Sequence, residues 1–218
     1  INPLTKKEEN SSAIVMEYAP FGDFYSLIRK DIFPFDEVLT RTYFHELIDG
    51  LSYLHSKGIS HLDLKLENLL IGKGYRLKII DYGHSQLLDE DLIGRGSEDY
   101  RPPEMKTKNV QNKFAADIYS AGIVLFALFT GGFMPYVEGG SSRQIDFAKL
   151  LWEERKEFWE YHSKCQKRPL EDFSKEFREL FIKMTKRNPS ERITISEIRN
   201  SSWFRGPIYS QRELTQVM

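Results

Sequence analysis

The stretch of sequence that decides the fold reads His61-Leu62-Asp63-Leu64-Lys65-Leu66-Glu67-Asn68, followed by the apolar run Leu69-Leu70-Ile71. It places an acid, a base and an amide within eight residues, between a helix-like segment and a short strand. Charged side chains are rarely buried unless they are paired, so this much polarity beside an apolar strand is unusual. It indicates a functional site.

The residues that follow Asn68 predict a β-hairpin. Residues 69–71 are apolar and residues 77–80 mostly so, and a glycine-containing turn joins them, as in two antiparallel strands. Because a hairpin returns the chain to its starting end, Asn68 and Asp81 should come close together. An amide oxygen and a carboxylate can hold a hard cation such as Mg²⁺. Asp63, five residues before Asn68, would face the same point from the preceding loop.

Five motifs along the chain resemble those of the protein kinase family. The opening stretch resembles the family's catalytic loop, H-R-D-L-x-x-x-N. The other four are, in order, Asp81-Tyr82-Gly83 for D-F-G, Arg101-Pro102-Pro103-Glu104 for A-P-E, Asp117-Ile118-Tyr119-Ser120-Ala121-Gly122 for D-x-W-S-x-G, and Arg192 for a late arginine. Chance agreement of five motifs in the family order is improbable, so the resemblance implies the kinase fold.

By this resemblance the fold class is mainly α with a small β-hairpin component, an α+β protein-kinase-like C-terminal lobe whose N-terminal lobe is essentially absent. Four segments are implied: residues 1–12 as a loop or remnant of the small lobe, 13–22 as the last small-lobe strand and the hinge, 23–204 as the large lobe, and 205–218 as a polar, loosely held tail. A complete kinase also carries a glycine-rich loop and a strand lysine. Nothing before the hinge matches them, so a missing small lobe is expected upstream.

The resemblance also implies an ATP site at the hinge. The mostly apolar segment 13–18 predicts a buried strand, which the following Pro20 and Gly22 would end. Five residues are assigned to the nucleotide site: Met16 as gatekeeper, Glu17 and Ala19 through backbone hydrogen bonds to the adenine edge, Leu70 as the floor of the adenine pocket, and Asp23, which is also expected to cap a helix.

Phosphoryl transfer needs in-line positioning and charge neutralisation more than covalent chemistry. The resemblance implies that Asp63 accepts the proton of the substrate hydroxyl and that Lys65 steadies the γ-phosphate. Asn68 and Asp81 would ligate Mg²⁺. A lysine two residues after the aspartate resembles the serine/threonine kinases, so the implied partner is a protein substrate with a serine or threonine acceptor.

Four further residues are implied to support the site. Ser97 would bond to the catalytic aspartate and lysine. Glu104 and Arg192, separated by 88 residues, would form a buried ion pair that fixes the activation segment. Asp117 would accept hydrogen bonds from the backbone of the catalytic loop.

Three departures from the family pattern bear on regulation and specificity. Leu62 stands where most kinases have an arginine that pairs with an activation-loop phosphate, and Ser85 is the only hydroxyl acceptor from 84 to 96. Activity without activation-loop phosphorylation is therefore expected. Tyr82 replaces a phenylalanine and needs a hydrogen-bond partner if it is buried. Arg101 stands where many kinases place an apolar residue below the side chain that follows the acceptor.

The composition is that of one ordinary globular domain. The chain has 218 residues, 40% of them hydrophobic and 29% charged, and a formal net charge of −1. The chain has no surplus of basic residues, so its charge does not indicate binding to nucleic acid or to a membrane surface. Cys165 is the only cysteine, which excludes an internal disulfide and fits a reducing compartment, cytoplasmic or nuclear. The longest apolar run, 121–130, is shorter than the roughly 20 residues that a membrane span needs.

Periodicity and capping residues predict the helices of the large lobe. They are expected at 24–29 after Asp23, 37–57 after Asp36, 117–130, 143–162, 177–184 and 194–200. His45 and His55 have no cysteine or acidic partner at metal-ligand spacing, so they are interpreted as packing or surface residues. His61 is expected to be a hydrogen-bonded core residue rather than a catalyst.

Three functions remain open from the sequence. The first is the catalytic lobe of a serine/threonine protein kinase that uses ATP and Mg²⁺, with the 218-residue chain transferring little phosphate by itself. The second is a pseudokinase or scaffold, which Leu62 and Tyr82 favour, although the catalytic and metal carboxylates are retained. The third is a kinase of lipids or small molecules, against which the segment 101–104 argues because it resembles a peptide-substrate platform.

Overall fold

The computed structural model describes residues 14–30, 36–87, 96–106, 112–135 and 147–218. These residues form a mainly helical lobe with small two-stranded sheets, so the predicted fold class is confirmed. The helices are α1 (Phe24–Arg29), α2 (Glu37–Ser56), α3 (Lys113–Phe129), α4 (Phe147–Trp152), α5 (Lys156–Gln166), α6 (Lys175–Met184), α7 (Ile195–Asn200) and α8 (Gln211–Val217). The strands are β1 (Ile59–Ser60), β2 (Leu69–Ile71), β3 (Leu77–Ile79) and β4 (Gln86–Leu87). No helix among the described residues is long and apolar enough to cross a membrane.

Helix α3 forms the centre of the lobe. Every residue from 115 to 129 is buried, as expected for a helix that is apolar on all sides, and α2 and α6 pack against it. The helix begins four residues before the predicted start at Asp117, because the side chain of Asn112 accepts a hydrogen bond from the amide of Ala115 and caps it. Asp117 therefore projects from the first turns of a rigid, buried helix.

The first two helices begin where the sequence predicts. The Asp23 carboxylate accepts the amide of Ser26 at 2.8 Å and begins α1. The Asp36 carboxylate accepts the amide of Leu39 at 2.7 Å and begins α2. Both aspartates satisfy amides that have no partner within the helix itself.

The predicted hairpin is confirmed. Strands β2 and β3 are antiparallel, with Leu69 opposite Ile79 and Ile71 opposite Leu77. The turn between them takes left-handed φ at Gly74, 65°, and at Tyr75, 59°. Strand β1 pairs with β4. Residues 61–68, called the catalytic stretch for their resemblance to the kinase catalytic loop, therefore lie between a strand of one small sheet and a strand of the other.

The predicted helix over 143–162 is wrong as a continuous element, and its first residues lie outside the described ranges. Its described part is α4 followed by α5, and the chain between them turns at Glu154, whose φ is 55°. Helix α5 continues past the predicted end to Gln166. Aromatic residues of α5 reach the core, where the ring centroids of Phe158 and of Phe126 on α3 lie 6.0 Å apart.

The segment at residues 14–18 differs from the buried strand predicted for residues 13–18. Its side chains are exposed, including Ile14 at 85% and Val15 at 97%, and it has no strand structure. Residue 13 lies outside the described ranges. A strand needs a neighbour to satisfy its backbone groups, and none of the described strands pairs with this segment.

The C-terminal residues are held more firmly than predicted. Ser210 and Glu213 form a capping box at the start of α8, and Leu214 is only 1% exposed. The amide of Tyr209 donates to the hydroxyl of Thr42 on α2 at 2.9 Å. The expectation of a loosely held tail is therefore wrong. The packing of this helix was missed because a single leucine in a polar segment is a weak sign of burial.

Candidate active site

A buried carboxylate holds the start of the catalytic stretch. Asp117 is fully buried and accepts the backbone amides of His61 and Leu62, each at 2.8 Å. Its Oδ2 also lies 2.9 Å from Nε2 of His55. The sequence interpretation of His55 as a packing or surface residue missed this contact, because 62 residues separate the two.

His61 is buried and hydrogen-bonded, as the sequence predicts. Its Nδ1 accepts the amide of Asp63 at 3.2 Å, which leaves the proton on Nε2 to be donated to the carbonyl of Ile80 at 2.9 Å. The imidazole thus links the catalytic stretch to the residue that precedes Asp81. It supports the geometry of the loop and has no free nitrogen for chemistry.

Asp63, Lys65 and Ser97 meet in one cluster. Lys65 Nζ lies 3.0 Å from Oδ2 of Asp63 and donates to Oγ of Ser97 at 2.8 Å. The amide of Ser97 donates to Oδ1 of Asp63 at 2.7 Å. The structure therefore brings together three residues that the sequence assigned to one site from positions 34 residues apart.

The environment of Asp63 favours its charged form. Burial raises the pKa of this carboxyl, but the hydrogen bonds from Lys65 and from the amide and hydroxyl of Ser97 outweigh burial. The net effect is a pKa below the ordinary value of 3.8. Asp63 is therefore a carboxylate at neutral pH, able to accept a hydrogen bond from a hydroxyl group.

Gly96, which the sequence analysis did not single out, allows this cluster to close. Its φ is 103°, which is in the region that favours glycine. A Cβ at this position would lie 2.5 Å from the carbonyl oxygen of Leu62 and 3.6 Å from Oδ1 of Asp63. Only glycine lets the backbone of residues 96 and 97 approach the catalytic stretch this closely.

Asn68 and Asp81 lie at the open end of the hairpin. The Asn68 amide nitrogen donates to the carbonyl of Asp63 at 2.8 Å and to its Oδ2 at 3.1 Å. The amide of Ile80 donates to the carbonyl of Asn68 at 2.9 Å, so the residue before Asp81 is bonded to Asn68. Asp81 is exposed, has a left-handed φ of 62°, and accepts the amide of Gly83 on its Oδ1.

Free oxygen atoms at this end fit a hard cation. Oδ1 of Asn68 and Oδ2 of Asp81 have no hydrogen-bond partner among the described residues. Carboxylate and amide oxygens are the ligands that Mg²⁺ takes in proteins, usually together with substrate phosphates and water. Within the described ranges, no three histidine, cysteine, aspartate or glutamate side chains form a metal-binding group.

A cavity of about 310 Å³ lies beside Asp81. Four of the five residues assigned to the nucleotide site line it: Met16, Glu17, Ala19 and Leu70. The other lining residues, apart from Asp81, are Lys78, Ile79, Ile80 and Tyr82. Its volume is at the lower end of the range for small-molecule pockets. The cavity extends from the segment 16–19 to the end of the hairpin.

Two contacts around this cavity were not foreseen. Lys78 forms an ion pair with Glu17 at 3.0 Å, across the cavity wall. Asp23, the fifth assigned residue, does not line the cavity. Both of its carboxylate oxygens accept hydrogen bonds from Ser26, and its backbone pairs with Leu70.

Glu104 and Arg192 form a buried ion pair. The Arg192 side chain is fully buried, and its two terminal nitrogens each contact one oxygen of Glu104, with Nη2 at 2.7 Å. The guanidinium also donates to the carbonyls of Ala115 at 3.0 Å and Lys186 at 2.8 Å. This arrangement fastens the segment at 104 to α3 and to the loop after α6.

Leu62 and Tyr82, two residues that depart from the kinase pattern, lie in different surroundings. Leu62 is 6% exposed, has a φ of 63°, and packs with Met105 and Ala116 in an apolar cluster. Tyr82 is 50% exposed, and its hydroxyl donates to the carbonyl of Ile79 at 3.1 Å. The hydroxyl of Tyr82 therefore has a partner, and its partial burial raises its pKa.

The contacts that join the motifs are those of one catalytic lobe. Asp117 binds the catalytic stretch, Ser97 binds Asp63, and Glu104 binds Arg192. A helical lobe that connects these motifs in this way defines the large lobe of a protein kinase. The sequence model of the family described as Protein kinase domain matches residues 4–204, and the chain belongs to the protein kinase family.

Curated relatives extend the comparison. CBL-interacting protein kinase 26 of Oryza sativa subsp. japonica is 34% identical over 197 residues, which make up 88% of this chain and 36% of that protein. CBL-interacting serine/threonine-protein kinase 16 of Arabidopsis thaliana is 33% identical over 204 residues, 88% of this chain and 40% of that protein. This chain spans about two fifths of the length of these relatives.

Proposed function

We propose that the complete protein containing this chain is a serine/threonine protein kinase that uses ATP and Mg²⁺. The observation that carries the proposal is the cluster of Asp63, Lys65 and Ser97, in which a carboxylate is kept charged by a lysine and a serine. The names of the similar proteins, which include serine/threonine-protein kinases, support the same assignment.

Asp63 acts on the acceptor hydroxyl. Its carboxylate, held by the amide of Ser97 and by Lys65, would orient the serine or threonine hydroxyl of a protein substrate and accept its proton. Lys65 has three donors, of which two bind Asp63 and Ser97. The third is available to the transferred phosphoryl group, whose negative charge it would offset.

Asn68 and Asp81 would hold Mg²⁺ through their free oxygens, and the bound ion would neutralise charge on the nucleotide phosphates. Met16, Glu17, Ala19 and Leu70 would contact the adenine, since they line the cavity that ends at Asp81. The role assigned to Asp23 in nucleotide binding has less support, because its carboxylate caps α1.

Residues 1–218 alone are proposed to transfer phosphate negligibly. They contain no glycine-rich phosphate loop, and the side chains of Ile14 and Val15 are exposed beside the cavity-lining residue Met16. Efficient phosphorylation of a serine peptide by these residues alone would contradict this part of the proposal.

A scaffold without turnover is the second candidate. It is favoured by the apolar surroundings of Leu62, where an active kinase more often carries a cation. A scaffold keeps the fold but has no need for the charged cluster at Asp63. The two candidates therefore differ in their response to loss of that carboxylate.

The test compares variants of the complete protein. Asp63→Asn keeps the size of the side chain and removes the charge, so the catalysed rate should fall by about 10²- to 10⁴-fold. Asp49→Asn removes an exposed aspartate on α2 and serves as the matched control. Phosphate transfer to serine peptides is measured with ATP and Mg²⁺, and folding is checked by thermal unfolding. An unchanged rate in Asp63→Asn would reject the kinase assignment, as would no transfer by the wild type.

A further inference from the structure

Lys113, the first residue of α3, is a buried lysine that the proposed chemistry does not use. The residue is only 3% exposed. Lysine is almost never fully buried without a compensating contact, and a cation in the first turn of a helix faces the positive end of the helix dipole. Lys156 and Lys175 also begin helices, but both are largely exposed, so water and salt screen their charge. The stability of α3 therefore does not explain a lysine at position 113.

The side chain of Lys113 reaches strand β4. Its Nζ donates a hydrogen bond to the carbonyl of Leu87 at 2.6 Å. Hydrogen bonds from a charged donor are shorter and stronger than those between neutral groups. Leu87 is paired with Ile59 of β1, and the only other pair of this sheet joins Ser60 to Gln86. Because so short a sheet is marginally stable by itself, the bond from Lys113 should help to keep β4 in place.

Helix α3 holds both strands of this sheet. Asp117 follows Lys113 by four residues, so the two side chains lie on the same face of the helix. Asp117 accepts the amides of His61 and Leu62, the two residues that directly follow β1. Lys113 binds Leu87 at the end of β4. The buried α3 therefore fixes β1 and β4 relative to each other.

The segment that Lys113 anchors begins at Asp81, a candidate metal ligand. Leu87 follows Asp81 by six residues. Just before this segment, the amide of Ile80 donates to the carbonyl of Asn68 at 2.9 Å. The position of the exposed Asp81 carboxylate therefore depends on how firmly both ends of the segment 81–87 are held, and Lys113 holds the C-terminal end.

Residue 62 offers no cation through which a loop phosphate could hold this segment. Phosphorylation can order a loop by creating charge-assisted hydrogen bonds to nearby cations, but Leu62 is apolar and packs with Met105 and Ala116. The bond from Lys113 to Leu87 is also charge-assisted, and it forms in the folded chain without any modification. Lys113 thus supplies from within the fold a contact of the kind that a phosphate would otherwise create.

We propose that Lys113 is a positioning residue for phosphate transfer, which holds β4 against β1 so that Asp81 stays beside Asn68. This inference rests on the proposed kinase function. Lys113 does not line the cavity beside Asp81, and it acts through Leu87 and β4. Its loss should therefore slow the chemical step and loosen residues 81–87. Global stability should change little, because burial and the helix dipole already oppose a lysine at this position.

Three variants of the complete protein test the inference. Lys113→Met removes the donor and keeps an unbranched side chain, whereas Lys113→Arg keeps a charged donor. Lys156→Met is the matched control, because Lys156 also begins a helix but is exposed. In Lys113→Met, kcat for phosphate transfer to a serine peptide should fall by about tenfold to hundredfold, with KM for the peptide within about twofold. Lys113→Arg should recover part of this loss, and Lys156→Met should match the wild type.

Hydrogen exchange reports on β4 without requiring activity. Peptides that cover residues 82–87 and, as an internal reference, residues 176–184 of α6 are followed by mass spectrometry in each variant. In Lys113→Met, the amides of 82–87 should exchange faster by about tenfold, while those of 176–184 keep the wild-type rate. The midpoint of thermal unfolding should stay within about 3 °C of the wild type.

The outcomes separate this inference from the proposed function. Unchanged kcat or unchanged exchange over 82–87 in Lys113→Met would overturn the role of Lys113 even if the wild type is an active kinase. A large loss of thermal stability in Lys113→Met would also overturn it, because the residue would then serve general stability, as would a loss of kcat in Lys113→Arg equal to that in Lys113→Met. Faster exchange over 82–87 in a protein that transfers no phosphate would uphold the contact with β4 and reject the kinase assignment.

Discussion

At the scale of single residues, Leu62 is the most informative departure from the kinase pattern. A leucine at a φ of 63° is strained by about 1–2 kcal/mol. The hydrogen bond from its amide to Asp117 and its packing against Met105 and Ala116 offset that strain. An apolar side chain in these surroundings has no means of binding a phosphate.

The first prediction follows from the surroundings of Leu62. Complete dephosphorylation of the full-length protein should leave its kinase activity unchanged within about twofold, because a loop phosphate would find no cation from residue 62. Activity is measured before and after phosphatase treatment, with mass spectrometry to verify that phosphate is removed. A loss of tenfold or more, restored by rephosphorylation of the segment 84–96, would contradict it.

The candidate catalytic residues could be proposed from the sequence because they occur in short, spaced motifs. Asp63, Lys65 and Asn68 fall within six residues, so one hairpin and one loop bring them together. His55 and Gly96 were missed for a different reason. Their importance depends on a distant carboxylate and on the close approach of two backbone segments, and neither leaves a local pattern.

At the scale of elements, capping residues and turns predicted boundaries well where the signal is local. Asp23, Asp36 and Gly74 each act within four residues of their own position. The break between α4 and α5 could not be predicted. Glu154 takes a left-handed φ there, and glutamate is not a residue type that indicates this conformation. The segment at 14–18 was mispredicted because apolar composition alone does not supply a neighbouring strand.

The second prediction concerns the ion pair that joins the segment 103–106 to the loop before α7. Glu104→Gln leaves the fully buried guanidinium of Arg192 without a countercharge, so the free energy of unfolding should decrease by about 3 kcal/mol. The free energy of unfolding is measured by urea titration. Glu98→Gln, an exposed position in the neighbouring turn, should change it by less than about 0.5 kcal/mol.

A double variant distinguishes loss of pairing from loss of packing. Replacing both partners, as in Glu104→Met with Arg192→Met, removes the uncompensated charge as well as the pair. This double variant should be more stable than Glu104→Gln. If it is less stable, the contacts of Arg192 with the carbonyls of Ala115 and Lys186 matter more than its charge.

At the scale of the whole molecule, the C-terminal residues are connected to the cavity beside Asp81. The side chain of Gln211 donates to the carbonyl of Gly74 in the β2–β3 turn. The next residue, Tyr75, stacks on Phe21 with ring centroids 4.6 Å apart. The amide of Phe21 donates to the carbonyl of Ile71 at 3.3 Å, beside the cavity-lining Leu70.

The third prediction tests whether α8 is an integral part of this lobe. Leu214→Ala removes a side chain that is 1% exposed, so the free energy of unfolding should decrease by about 2 kcal/mol. Gln216→Ala, at an exposed position of the same helix, should leave it unchanged within about 0.5 kcal/mol. Both are measured by urea unfolding followed by circular dichroism. Equal stability of the two variants would show that α8 is only loosely attached.

The carboxylate of Asp117 imposes an order on biosynthesis. A ribosome delivers residues 61–68 to the folding chain well before it delivers Asp117, and Arg192 follows later still. The amides of His61 and Leu62 have to wait for an acceptor that is more than 50 codons downstream. A nascent polypeptide stalled before codon 117 therefore lacks the carboxylate that binds these two amides, even though Ile80 and Ser97, which contact His61 and Asp63, have already been synthesised.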